Sequence, residues 1–182
     1  MIILLGVPGS GKSTQGQLLA DRGKLKWISM GEILREKASP EQKQRMASGN
    51  LLGSQETIDI LMPVLSELGD QPELILDGFP RNVEQAKWIL DQAKNGALKV
   101  SALVHLFAEE PVVEKRLMAR GRSDDTPQTI ANRFNIYQQT FQPVIELLKN
   151  GGVPILEIDA DQTPQAILQD IVKALSAANI EA

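Results

Sequence analysis

Gly6-Val7-Pro8-Gly9-Ser10-Gly11-Lys12-Ser13 is the stretch from which the fold is read. It fits G-x-x-x-x-G-K-[ST], the phosphate-binding P-loop. The apolar run Ile2-Ile3-Leu4-Leu5 before it reads as a buried strand. Thr14 to Ala20 after it reads as the first turns of a helix. Glycines in this strand–loop–helix context let the backbone curl so that successive N–H groups point at one anion. The helix N-terminus adds partial positive charge at the same place. Lys12 would reach the β- and γ-phosphates of a nucleotide, and the Ser13 hydroxyl would hold Mg²⁺.

Working outward, strands and helices alternate. Strands are expected at 1–5, 25–29, 73–77, 100–107 and 153–158, with helices at 12–22, 31–38, 41–48, 55–68, 82–94, about 109–119, 130–148 and 164–178. Gly23 should end the first helix. Pro63 lies within an apolar helical stripe, so a kink or a later helix start is expected there. Gly49-Asn50 should stop one short helix, and Gly69 to Pro72 should form a loop. Ile130, Phe134, Tyr137, Phe141, Ile145 and Leu148 step along one long helix. This order predicts an α/β fold of the P-loop NTPase type, a five-stranded parallel sheet with helices on both faces. Ligands should gather at the carboxyl ends of its strands.

The bulk composition narrows the chemistry. A chain of 182 residues suits one domain with a sizeable core. Without cysteine it has no disulfides, cysteine zinc sites or thiol catalysis. The net charge of −4 offers no global attraction for nucleic acid, so an anionic substrate must be held by local arginines. No apolar run is long enough to span a membrane, and Met1–Leu5 reads as a core strand, not a signal peptide. A cytoplasmic protein is the expectation. The single histidine, His105, reads as a strand residue and not as a ligand or base.

Two further groups carry chemistry. Asp77-Gly78-Phe79-Pro80-Arg81 directly follows a strand. An acid at a strand end near the P-loop can hold Mg²⁺ through water, while Arg81 presents a five-donor fork for a phosphate. Arg116, Arg120, Arg122 and Arg133 cluster with Asp124 and Asp125 between them, and Arg116 and Arg120 share one helix face. Transfer between two oligophosphates must neutralise about six to seven negative charges, which one lysine and one Mg²⁺ cannot do alone.

With these motifs in order, the chain resembles a nucleoside monophosphate kinase of the adenylate kinase family in its short-lid form. The likeness rests on the P-loop, on Ser29-Met30-Gly31-Glu32-Ile33-Leu34-Arg35, on Asp77–Arg81 followed by Gln85, and on Arg120 through Arg133. The resemblance implies reversible, Mg²⁺-dependent phosphoryl transfer from ATP to AMP in a monomer, without nucleic acid or membrane partners. It implies ATP binding by Gly9, Ser10, Gly11, Lys12, Ser13 and Thr14, with Arg116 and Gln162 near the base. It implies AMP binding by Met30, Arg35, Met46, Leu52, Gly78, Arg81 and Gln85. Lys12, Arg81, Arg120, Arg122 and Arg133 would stabilise the moving phosphoryl group, with Arg122 and Arg133 also touching AMP. Ser13 and Asp77 would serve the metal, and Asp124 and Asp125 would hold the lid arginines.

The implied division is a core of 1–29, 61–119 and 129–182, a monophosphate lobe of about 30–60 and a lid of about 120–128 within the single domain 1–182. The lid is too short for the zinc site of long-form relatives. Met30 stands where adenylate kinases usually have threonine, and no acid occurs near Gly53 before Glu56. These departures keep a UMP/CMP kinase or a broad-acceptor kinase open as the alternative. Gln85 favours AMP, because its amide can pair with the donor–acceptor edge of adenine.

Overall fold

Strand β1 (Ile2–Gly6) is buried along its whole length, which requires hydrogen-bonded neighbours on both sides and cover on both faces. In the computed structural model, which describes residues 1–47, 50–68, 73–122 and 125–180, it has both. It pairs in parallel with β3 (Leu74–Asp77) on one side and β4 (Ala102–Phe107) on the other. The edges are β2 (Lys26–Ser29) and β5 (Ile155–Asp159), giving the order β2-β3-β1-β4-β5 with every pairing parallel. The expected five-stranded sheet is therefore present.

Period-two alternation divides the core between the two faces. Ile3, Leu5, Leu76 and Leu103 pack against α2 (Met30–Lys37), α4 (Ser54–Ser66), α5 (Val83–Lys94) and α7 (Pro127–Asn150). Ile2, Leu4, Ile75 and Val104 pack against α1 (Lys12–Gly23) and α8 (Pro164–Ala177). Helix α3 (Pro40–Ala47) fully buries no residue, although Met46 packs against the core, while α6 (Glu110–Arg120) buries Val113 and Leu117. Among the described residues no helix is long and apolar enough to cross a membrane.

Several element ends differ from expectation for local reasons. Gly23 is still helical, and Lys24 takes the left-handed position at φ 55°, so that both Lys24 and Leu25 donate to the Ala20 carbonyl. Helix α4 begins at Ser54 and continues through Pro63, so the later start does not occur. Its beginning is fixed by Glu56, whose Oε2 accepts from the Gly53 N–H at 2.9 Å. Helix α7 begins earlier than its apolar stripe, because Thr126 caps it by accepting from the Thr129 N–H and Pro127 suits its first turn. Gly49, residues 69–72 and Asp124 lie outside the described residues.

Candidate active site

The loop between β1 and α1 wraps around its own lysine. Lys12 Nζ donates to the carbonyls of Gly6 at 2.9 Å and Val7 at 3.0 Å. The turn depends on missing side chains. A Cβ on Gly6 would sit 2.3 Å from the Leu106 carbonyl oxygen. Gly9 has φ 86°, and a Cβ there would sit 2.9 Å from both the Val113 carbonyl oxygen and the Leu117 side chain. Burial lowers the Lys12 pKa from 10.5 to about 8; Asp77 opposes the shift, while Arg81 and Arg120 add to it. Burial and the neighbouring arginines thus outweigh Asp77, and an anion bound here would favour the charged ammonium.

Beneath this loop, Ser13 Oγ donates to Asp77 Oδ2 at 2.8 Å. The pair joins the N-terminus of α1 to the carboxyl end of β3. Asp77 is buried and paired in register with Leu4 and Ser29. A hydroxyl and a carboxylate held together in this way are hard oxygen donors suited to Mg²⁺, which keeps waters and binds few protein groups. Among the described residues no group of three His, Cys, Asp or Glu side chains could hold a metal.

A cleft of about 770 Å³ opens over this floor. The P-loop residues Gly9 to Thr14 line one part of it, and Asp77, Gly78 and Gln162 line others. Six arginines reach its wall from separate elements: Arg35, Arg81, Arg116, Arg120, Arg122 and Arg133. On a chain of net charge −4, this is a strongly local concentration of positive charge.

Oxygens hold Arg81, Arg116, Arg120 and Arg133. Arg81 Nε donates to the Gly78 carbonyl at 2.6 Å, and burial lowers its pKa against the pull of Asp77. Gly78, at φ 78°, leaves room for this fold-back, since a Cβ would lie 3.1 Å from an Arg81 terminal nitrogen. Arg116 donates to the backbone carbonyls of Ala160 at 2.8 Å and Gln162 at 3.3 Å, tying α6 to the loop after β5. Asp125 accepts from Arg120 and, at 3.4 Å, from Arg133.

Met46 and Leu52 line the helical side of the cleft. Met30 and Gln85 do not reach its wall. Met30 is fully buried in the core beside Leu34 and Leu52. Gln85 is 2% exposed, and its Oε1 accepts from the Arg81 N–H at 2.7 Å. The glutamine therefore sets the backbone of Arg81 directly.

Sequence reasoning missed Lys43, Tyr137 and Phe141, which also line the cleft. In the sequence Tyr137 and Phe141 read as members of an apolar stripe, yet both are only half-buried. The available signal was spacing: Tyr137 falls one helical turn after Arg133.

A family model described as adenylate kinase matches residues 4–153. An adenylate kinase of Corynebacterium urealyticum is 33% identical over 180 residues, covering 96% of this chain and 98% of its own. Adenylate kinase 1 of Nostoc sp. is 34% identical over 181 residues, covering 96% and 97%. An adenylate kinase of Mycobacterium tuberculosis is 32% identical over 180 residues, covering 96% and 98%.

Proposed function

The chain belongs to the adenylate kinase family, which makes it a nucleoside monophosphate phosphotransferase, and we propose that it moves the γ-phosphoryl group of MgATP reversibly to AMP, giving two ADP. One observation carries the reading of the site: six arginines and Lys12 converge on a single cleft over the Ser13–Asp77 pair. That charge matches two nucleotides facing each other through their phosphates.

Residues Gly9 to Thr14 hold the ATP phosphates, and Lys12 exchanges its loop carbonyls for the β- and γ-phosphate oxygens. Arg116 and Gln162 stand beside the ATP base, where Arg116 also fixes the loop. Arg35 and Arg81 hold the AMP phosphate. Arg120, Arg122 and Arg133 offset the charge that builds on the phosphoryl group in flight. No side chain acts as a strong base; alignment and charge do the catalysis. Ser13 and Asp77 would hold Mg²⁺, Asp77 through water, and the ion would supply neutralisation of phosphate charge. Residues about 30–60 and about 120–128 form the lobe and lid that close on the substrates and exclude water.

Base selection rests on Met46 and Leu52, with Gly78 close by. Gln85 acts from behind the cleft wall, where its oxygen fixes the backbone of Arg81 beside the base pocket. Met30 acts from the core beneath the pocket. The three relatives described above are named adenylate kinases, which favours AMP over the pyrimidine alternative. The reading carries with it a monomer, and a cytoplasmic compartment suits free nucleotides as substrates.

The test is transfer from MgATP to AMP, CMP, UMP and GMP, each alone. AMP is expected to be strongly preferred. Equal or faster turnover of CMP or UMP would establish the alternative, and no transfer to any acceptor would overturn the assignment.

A further inference from the structure

Helix α7 passes the cleft with no fully buried residue between Ile130 and Val144, and its middle meets the core through half-buried side chains such as Phe141. In that stretch Tyr137 follows Arg133 by one turn, and both side chains line the cleft. The Tyr137 hydroxyl lies 2.6 Å from Nε2 of His105 on β4. His105 stands in register between Leu5 of β1 and Glu157 of β5, one residue before the row that pairs Gly6 with Leu106. The histidine is therefore part of the sheet floor from which the P-loop rises.

The surroundings fix the imidazole. Its ring centroid is 4.1 Å from that of Phe141, whose ring stacks on Tyr137 at 4.6 Å. Nδ1 faces Glu157 Oε1 at 3.6 Å. Burial lowers the His105 pKa, Glu157 on β5 opposes that shift and Lys12 on α1 adds to it. The ring is accordingly neutral at neutral pH. Glu157 at 3.6 Å is too far for a hydrogen bond, but its charge favours the tautomer with the proton on Nδ1, in which Nε2 accepts from the Tyr137 hydroxyl.

We propose that His105 and Tyr137 are a positioning pair, through which the sheet holds the middle of α7 and so sets the height of Arg133 over the cleft. The role rests on the phosphoryl-transfer reading above. Neither residue needs to touch substrate. A misplaced Arg133 would lose contact chiefly with the phosphoryl group in transit, so the loss should appear in kcat more than in KM.

The experiment compares Tyr137→Phe, His105→Leu, His105→Gln and the Tyr137→Phe/His105→Leu double variant with wild type. Tyr137→Phe and His105→Leu should each lower kcat roughly tenfold, with KM for ATP and AMP changed less than about twofold. The double variant should be no slower than either single one, since both remove one bond. His105→Gln offers an amide oxygen to the hydroxyl and should recover most of the rate. A second readout needs no variant and no turnover. His105 is the only histidine, so its ring ¹⁵N signals can be read directly, and they should report a protonated Nδ1 and a hydrogen-bonded Nε2.

Folded variants with wild-type kcat, or an imidazole with averaged, solvent-like nitrogen signals, would overturn the proposal. Wild-type protein without transfer activity would instead overturn the function reading, and the positioning role with it. An active wild type with an unaffected Tyr137→Phe variant overturns the positioning role alone.

Discussion

Asp125 accepts from Arg120 twice, from Nε at 2.8 Å and from a terminal nitrogen at 2.6 Å, with a side chain that has no solvent exposure. The same carboxylate takes Arg133 at 3.4 Å. One buried negative charge therefore fixes two cleft arginines, one on α6 and one on α7. Asp125→Asn keeps the shape and removes the charge that holds two guanidinium groups near each other. The variant should lose roughly 10- to 100-fold in kcat and melt earlier than wild type, because a buried partner is removed. Steady-state kinetics alongside thermal melts would check this, and a wild-type kcat would show that the carboxylate does not place these arginines.

Arg81 is bound to its own turn at both ends of the residue. Its N–H donates to Gln85 Oε1, and its Nε donates to the Gly78 carbonyl. Arg81→Ala should raise KM for AMP roughly 10- to 100-fold, the effect of losing a charged hydrogen bond to phosphate. KM for ATP should move less than about threefold. Equal loss for both nucleotides would contradict the division of the cleft into two sites.

Arg116 gives the opposite discrimination. Its two carbonyl bonds hold the segment Ala160–Gln162 against α6. Arg116→Ala should release that segment and raise KM for ATP several-fold, while KM for AMP stays within about twofold. Arg116→Lys should recover little, because an ammonium cannot span both carbonyls as the guanidinium fork does. A selective rise in KM for AMP would place Arg116 on the other nucleotide.

The sheet was legible because its cause is local. Apolar runs such as Ile2–Leu5 and Ala102–Leu106 can be satisfied only between neighbours, and the glycines after β1 admit one kind of turn. The P-loop and Asp77–Arg81 carried their chemistry in fixed spacing. What stayed hidden depended on contacts far apart in sequence. Nothing near residue 30 says that Met30 lies in the core, and nothing near Gln85 says that its oxygen serves Arg81. The His105–Tyr137 bond joins residues 32 apart, and each alone looked like an ordinary member of its element. The left-handed Lys24 was missed because glycine is the usual occupant of such a position and one precedes it.

Lys12 supplies a pH signature with a definite sign. Its pKa is lowered from 10.5 to about 8 in the free protein, chiefly by burial. The unfolded chain therefore binds more protons than the folded one between about pH 8 and the ordinary lysine value, and Lys12 makes the free protein more stable as pH rises through that window. Nucleotide binding has the opposite sense. Phosphate favours the ammonium and raises its pKa, so affinity for ATP should fall as pH rises above about 8, with proton uptake on binding near that pH. Lys12→Met should fold, show neither effect and abolish transfer. Calorimetric titration of ATP between about pH 7 and about pH 9.5 in two buffers of different ionisation enthalpy would measure both affinity and proton uptake. A flat affinity with no uptake would mean that the ammonium stays charged throughout, and retained turnover in Lys12→Met would remove Lys12 from the phosphate site.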